Sequence, residues 1–170
     1  MHSRLVFSAL LLSAVALPAQ RADRFERDCD DNWSDRRREH FCEVRESRMR
    51  VPQRQLLVDG GDNGGVSFYG WDRDEVLVRA MIRATGESRR DAEELARAVR
   101  IDVSDDRIRA EGPSTRSRYS DWSVSYEVMV PRRINLAANT RNGGISVEQV
   151  DGRMEFEAEN GGISVRDAGG

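Results

Sequence analysis

A nine-residue repeat fills the end of the chain: Arg-Ile-Asn-Leu-Ala-Ala-Asn-Thr-Arg (133–141), Asn-Gly-Gly-Ile-Ser-Val-Glu-Gln-Val (142–150), Asp-Gly-Arg-Met-Glu-Phe-Glu-Ala-Glu (151–159) and Asn-Gly-Gly-Ile-Ser-Val-Arg-Asp-Ala (160–168). Self-similarity at a fixed period is typical of solenoids, in which each unit stacks on the next. The fourth and sixth residues of each unit are apolar. Because alternate residues of a strand share a face, each unit predicts one short strand with one buried face.

The units meet at Asn-Gly or Asp-Gly dipeptides, which accept positive φ at low cost. We expect that glycine occurs there because the turns need a positive φ. One hexapeptide, Asn-Gly-Gly-Ile-Ser-Val, starts at 142 and again at 160, so one coil is predicted to contain two strands. A degenerate copy starts at 63. The sequence therefore predicts a mainly β chain, a β-solenoid of nine-residue half-coils. Its corner residues are Asn63, Gly64, Asn142, Gly143, Asp151, Gly152, Asn160 and Gly161.

One segment breaks the β pattern. Ser88 is a candidate N-cap, and Asp91 three residues later completes an approximate capping box. Apolar residues then follow at helical spacing from Ala92 to Val99. One short helix is predicted, packed on the sheet or covering one of its ends.

Residues 1–20 have the pattern of a signal peptide: Arg4 precedes an apolar run, and Ala19 is a small residue at a plausible cleavage site. A retained N-terminal anchor is the alternative, although the run is shorter than the roughly 20 residues that span a bilayer. The sequence thus predicts export to the periplasm, the cell surface or the medium.

Residues 21–50 form a polar leader that contains Cys29 and Cys42, 13 residues apart. Disulfides persist outside the cytoplasm, so the two cysteines are predicted to be bonded to each other. Structural zinc needs four ligands, and His40 is the one histidine that would remain after signal removal. We therefore expect neither a metal site nor a cofactor.

The charge balance argues against nucleic acid as a partner. The formal net charge is −3, and all 27 basic side chains are arginine. A nucleic-acid binder would present a net basic surface.

The chain from 51 to 170 resembles the bacterial exported "putative adhesin" β-solenoid domains of unknown function. The residues that carry the likeness are Asn63-Gly-Gly-Val-Ser-Phe, the helical segment at 91–95, the strand that ends at Pro131, and the two Asn-Gly-Gly-Ile-Ser-Val units. The resemblance implies a sheet-rich solenoid displayed in the cell envelope. It implies no chemistry, because function resides in sites and not in folds.

Catalysis and calcium binding have weak support in the sequence. The Gly-rich run at 59–65 lacks both the Lys-Ser/Thr of a phosphate-binding loop and the alternating acids of a calcium loop. A Ser-His-Asp site is nearly excluded by the shortage of histidine. Glu155, Glu157 and Glu159 could suggest acid–base work on glycans, but an exposed sheet face explains them as well.

Binding is the better supported role. Aromatic and arginine side chains anchor interfaces, and they gather beside two predicted turns. The sequence therefore predicts a non-catalytic interaction module of the cell envelope, with an envelope protein or glycan as partner. An extracellular polysaccharide-acting enzyme is the alternative. The candidate binding residues are Trp71, Arg116, Arg118, Tyr119 and Trp122.

The last unit ends without a capping element, and Gly169-Gly170 resembles the start of another corner. Solenoids need about three or more repeats and an atypical terminal cap. The solenoid is therefore expected to be incomplete at its C-terminal side, and its open strand edge is a candidate surface for self-association.

Overall fold

The structure, a computed structural model, describes residues 25–29, 38–114 and 120–169. The signal-peptide prediction lies outside these residues. The helices are α1 (25–29) and α2 (Arg89–Ala98). The strands are β1 (Glu39–Met49), β2 (Leu56–Asp59), β3 (Val66–Trp71), β4 (Val76–Gly86), β5 (Arg100–Val103), β6 (Arg107–Glu111), β7 (Asp121–Pro131), β8 (Leu136–Thr140), β9 (Ile145–Glu148), β10 (Met154–Ala158) and β11 (Ile163–Arg166).

The strands form two open, mixed sheets. The six-stranded sheet has the order β1-β4-β7-β3-β9-β11, and the five-stranded sheet has the order β10-β8-β2-β6-β5. The chain is mainly β, as predicted. However, β1, β4 and β5 join through antiparallel pairings, which a regular stack of nine-residue half-coils does not contain.

The remaining strands pair in parallel, and the stack does not follow chain order. Ile163 lies beside Ile145 and Ile145 beside Val66, so β11, β9 and β3 are in register. In the other sheet β10, β8 and β2 are in register in the same way. The pair β2–β3 is inserted between β6–β7 and β8–β9. The repeat alone does not predict this insertion, because β2–β3 precedes β6–β7 by many residues.

Parallel register places the inward side chains of successive strands above one another, which forms apolar columns between the sheets. Phe68 and Val147 belong to one such column, and Val58 and Ala138 to another. These four side chains are at most 3 % exposed. The stacking therefore supplies the core, in agreement with the apolar fourth and sixth positions of the repeat.

Three stacked glycines allow the corners to approach at strand spacing. A Cβ on Gly143 would lie 2.1 Å from the carbonyl oxygen of Gly64, and one on Gly161 would lie 1.9 Å from that of Gly143. Among the predicted corner glycines only Gly152 has a positive φ, 137°. The turn-geometry explanation is thus wrong for Gly64, Gly143 and Gly161, which are required by contact between stacked backbones.

Polar side chains at the same corners join one parallel strand pair to the next. Asn142 Nδ2 donates to Asn63 Oδ1 at 3.2 Å, and Asn160 Nδ2 donates to Asn142 Oδ1 at 3.0 Å. Asparagine ladders of this kind accompany in-register stacking of β-strands. The asparagines therefore bond one corner to the next, while the glycines beside them permit the close approach of the corners.

The predicted helix is confirmed as α2, which covers one end of the stack, and α1 is a second helix that the sequence did not predict. Ser88 and Asp91 form the capping box, and α2 buries Ala92 and Ala96 against β4 and β1. Arg45 of β1 donates to the carbonyl oxygens of Ala96 and Val99, where the C-terminus of a helix leaves acceptors unsatisfied.

Part of the predicted polar leader is a strand of the larger sheet. β1 pairs with β4 along its whole length, and Cys42 on β1 is bonded to Cys29 on α1, which confirms the predicted disulfide. The segment contains few apolar residues because ion pairs cover its outer face. Arg79 of β4 contacts Glu46 of β1, Glu127 of β7 and Glu26 of α1 at 3.5, 3.6 and 3.2 Å.

Substitution of Gly143 by Ala is expected to lower the free energy of unfolding by about 1–3 kcal/mol, because its Cβ meets stacked backbone that cannot move away. Gly144→Ala is the matched control, since its Cβ would lie 3.4 Å from the nearest atom. Urea denaturation of both variants checks this expectation. Equal midpoints would contradict the steric role of the glycine column.

Arg79→Met is expected to destabilise the chain by about 3–5 kcal/mol, because the buried Glu127 carboxylate loses its ion pair with Arg79. The double variant Arg79→Met/Glu127→Met should recover most of that loss. Arg83→Met, four residues further along the same face of β4, is the control and removes a partly exposed arginine. A double variant no more stable than Arg79→Met would refute the coupling.

Candidate interaction cleft

Of the predicted binding residues, Trp71 and Trp122 are described by the structure, and these two do not share a site. Trp71 ends β3 and Trp122 begins β7, and these strands are parallel with Trp71 beside Pro131. The two indoles therefore lie at opposite ends of the sheet. Arg116, Arg118 and Tyr119 lie outside the described residues.

Trp71 is engaged within its own turn. Its indole N–H donates to the carbonyl oxygen of Glu75 at 2.9 Å, and the Arg73 guanidinium lies 5.0 Å from its ring centre. The neighbouring Asp72 accepts a hydrogen bond from Arg132, which lowers the pKa of that carboxyl group. These contacts tie Trp71 to the turn between β3 and β4.

Trp122 is held beside a cleft. Its indole N–H donates to the carbonyl oxygen of Pro113 at 2.9 Å, and a Cβ on Gly112 would lie 2.8 Å from the ring. The backbone thus fixes the indole on one side. Its other surroundings form a cleft of about 470 Å³, which continues into a second cleft of about 350 Å³ around the same tryptophan.

The stacked corners form the remaining walls of this cleft. Each parallel strand of the five-stranded sheet ends at the same edge, so the residues that follow these strands are brought together. We call the larger space the Trp122 cleft. It is lined by Asp59, Gly61, Asp62, Trp122, Asn139, Thr140, Arg141, Glu157 and Glu159.

The Trp122 cleft is acidic, with four carboxylates and one guanidinium in its lining. Arg141 bridges two of the acids, donating to Asp62 through Nη1 and to Glu159 through Nε at 3.1 Å. Asp59 accepts a hydrogen bond from the backbone N–H of Gly61 at 2.9 Å. Asp59 and Asp62 were considered above only as part of the Gly-rich run at 59–65, and Arg141 was not predicted as a site residue. Their position after stacked strands was a usable signal.

A buried tyrosine lies behind the cleft wall. Tyr126 is 1 % exposed, and its hydroxyl has no hydrogen-bond partner within the part of the chain that the structure describes. Burial, with the negative charge of Asp59, raises the pKa of Tyr126 well above its usual range. The hydroxyl therefore stays neutral at physiological pH.

The three glutamates predicted as possible acid–base groups do not all line the same cleft. Glu157 and Glu159 line the Trp122 cleft, whereas Glu155 does not. Glu159 is already paired with Arg141. Across residues 25–29, 38–114 and 120–169, no three His, Cys, Asp or Glu side chains are placed to hold a metal ion.

A larger depression of about 650 Å³ lies at the opposite edge of the same sheet, between Val51–Arg54 and the corners before β8 and β10. It has no aromatic lining. Its Asn135 amide donates to the carbonyl oxygen of Arg54 at 2.9 Å and accepts from the N–H of Arg153 at 3.0 Å. We interpret it as a gap between corners in which the Asn135 side chain is already engaged.

Comparison with known proteins reveals distant structural likeness. No family model matches the chain, and no curated protein matches its sequence. A "putative cell adhesion protein" from Clostridium sporogenes is 9% identical with a TM-score of 0.43, covering 75% of this chain and 63% of its own. A "putative lipid binding protein" from Parabacteroides distasonis is 9% identical (TM-score 0.36; 75% and 58% covered). A "putative adhesin" from Bacteroides fragilis is 10% identical (TM-score 0.36; 74% and 55% covered).

This chain therefore spans less than two thirds of the length of each of these three solved structures. Among the described residues, neither helix has the length and apolar character needed to cross a membrane.

Replacing Tyr126 by Phe is expected to leave stability unchanged or to raise it by up to about 1 kcal/mol, since an unsatisfied buried hydroxyl is removed. The raised pKa adds a pH effect. Below pH 10, about the pKa of tyrosine in the unfolded chain, Tyr126 is neutral in both states and its titration costs no stability. As pH rises from there toward the folded pKa, only the unfolded state loses the proton, so the folded state loses stability. Wild type should thus lose stability above about pH 10 more steeply than Tyr126→Phe. Denaturation at pH 8 to 11, with Tyr69→Phe as control, checks this, and parallel curves would refute it.

Proposed function

We propose that this chain is a non-catalytic interaction domain of an exported protein and that it binds a basic segment of an envelope protein in the Trp122 cleft. The observation that carries the proposal is the backbone-anchored indole beside four carboxylates. A cationic side chain gains both from carboxylates and from the face of an indole. Tryptophan in a concave site is also a frequent binding anchor.

The rest of the fold suits a scaffold. We interpret β2–β3, β8–β9 and β10–β11 as coils of a β-solenoid, joined by apolar columns and by the asparagine ladder. Such a stack holds its corners rigidly, so the cleft that they line is formed before a ligand arrives. Preorganisation of this kind lowers the entropic cost of binding.

Export is supported by two observations. The bond between Cys29 and Cys42 is of a kind that persists in oxidising compartments. The first 20 residues also have the composition of a cleavable signal. An envelope location fits both observations and supplies the class of partner.

The alternative function is hydrolysis of an extracellular polysaccharide. The presence of Glu157 in the same cleft as Asp59 favours it. Two carboxyl groups flanking a bond are the usual requirement of glycoside hydrolysis. Against it, Arg141 already engages Glu159 and Asp62, which holds these two acids in ion pairs.

Titration of purified protein with an Arg/Lys-rich peptide, followed by tryptophan fluorescence and calorimetry, tests the proposal. Trp122→Ala and Glu157→Gln should each weaken binding about tenfold or more, as loss of an anchor residue does. Trp71→Phe and Glu87→Gln are the matched controls. Glu87→Gln makes the same charge change at an exposed residue beside α2.

Binding of neutral glycans in preference to the peptide would overturn the choice of ligand. Hydrolysis of a glycan panel that is abolished by Glu157→Gln would replace the proposal with the enzymatic alternative. Equal peptide affinity of Trp122→Ala and Trp71→Phe, with both variants folded, would move the site away from the cleft.

A further inference from the structure

The β10–β11 end of the stack exposes the apolar columns that are buried in every inner coil. Ile163 and Val165 are 48% and 47% exposed, whereas Ile145 and Val147, their neighbours in the same columns, are each 1% exposed. Strands β10 and β11 are also the last strands of their sheets. This end therefore presents two strand edges with an apolar strip between them, which proteins usually cover.

The opposite end of the stack differs in kind. There α2 packs against β1 and β4 and buries its alanines, and the edge strands β1 and β5 are paired antiparallel to their neighbours. If a second copy docked through the end that carries α2, its strands could not extend the parallel apolar columns. The one end of this chain that offers matching columns is the β10–β11 end itself, so the fitting arrangement is a two-fold contact between identical ends.

The side chains that face each other across the core determine how β10 and β11 of two copies could pair. The ring of Phe156 on β10 stacks on the ring of Phe68, with 6.0 Å between the ring centres. Phe68 belongs to the column of Val147 and Val165. Phe156 and Val165 thus face each other across the two sheets. A two-fold axis along the strand direction, between the sheets, brings β11 of one copy antiparallel to β10 of the other.

In that register Val165 lies opposite Phe156 of the second copy, and Ile163 lies opposite its Ala158. Large side chains meet smaller ones, and every inward position meets an inward position. On the outer face Arg166 lies opposite Glu155 of the second copy. Each contact occurs twice by symmetry. Arg166 already lies beside Glu148 within its own chain, so the pairing continues an alternation of charge.

The competing two-fold arrangement places β10 against β10. It would oppose Glu155 of one copy to Glu157 of the other, twice over, and like charges directly opposite on paired strands are destabilising. The outward charges of β10 and β11 thus favour the β10–β11 arrangement over the β10–β10 arrangement. We propose that a second copy of this chain covers the β10–β11 end, with β11 of each copy paired to β10 of the other.

Sedimentation equilibrium of folded protein, recovered from the periplasm of a bacterial expression host, tests this proposal. Wild type should form a closed dimer. Glu155→Arg and Arg166→Glu should each raise the dimer dissociation constant about tenfold or more, because two attractive pairs become repulsive. Mixing the two variants should restore a heterodimer, since both interfacial pairs are then Arg–Glu.

The control is Glu87→Arg, which makes the same charge change beside α2 and should leave the dissociation constant unaltered. Val165→Lys should weaken the dimer while leaving the fold intact, as shown by circular dichroism, because its side chain is half exposed in one copy. A wild type that stays monomeric to about 1 mM would overturn the proposal. So would open-ended oligomers, a stronger dimer with Glu155→Arg, or a mixture no more dimeric than its components.

Discussion

The contact on which the rest of the structure depends is backbone against backbone at the stacked corners. Adjacent strands lie about 4.8 Å apart, so parallel strands in register require their connecting corners to approach equally closely. A Cβ at Gly64, Gly143 or Gly161 would overlap a backbone carbonyl group of the neighbouring segment. Only when that column is free of side chains do the apolar columns between the sheets and the asparagine ladder outside them align.

The two ends of the stack differ in how their apolar side chains are covered. At one end the chain departs from the parallel pattern, and α2 covers the inner face of β1 and β4 while Arg45 satisfies its last carbonyl groups. The outer face of the same strands is covered by α1, the disulfide and the buried arginine of β4. At the other end of the described chain the columns reach Ile163 and Val165, whose side chains are about half exposed.

The sequence predicts what local rules control. Alternation of apolar residues indicated the strands, and the Ser88 capping box indicated α2. The position of β2–β3 between β6–β7 and β8–β9 could not be predicted, because pairing between distant segments leaves no periodic trace. β1 was missed for a related reason: its partners on the outer face are charged groups from other elements, so the strand lacks an apolar alternation of its own.

The candidate site was predicted less well than the fold, and the reason is again the stacking. The constraint acts on inward side chains and on corner backbone, so the sequence carries a strong signal at those positions. Outward side chains and residues beside the corners are nearly free of it. Asp62, Arg141 and Glu159 form their network only because three corners distant in sequence lie side by side. In a stack of this kind the residues that define the fold recur visibly, whereas the side chains that line the Trp122 cleft differ from one unit to the next.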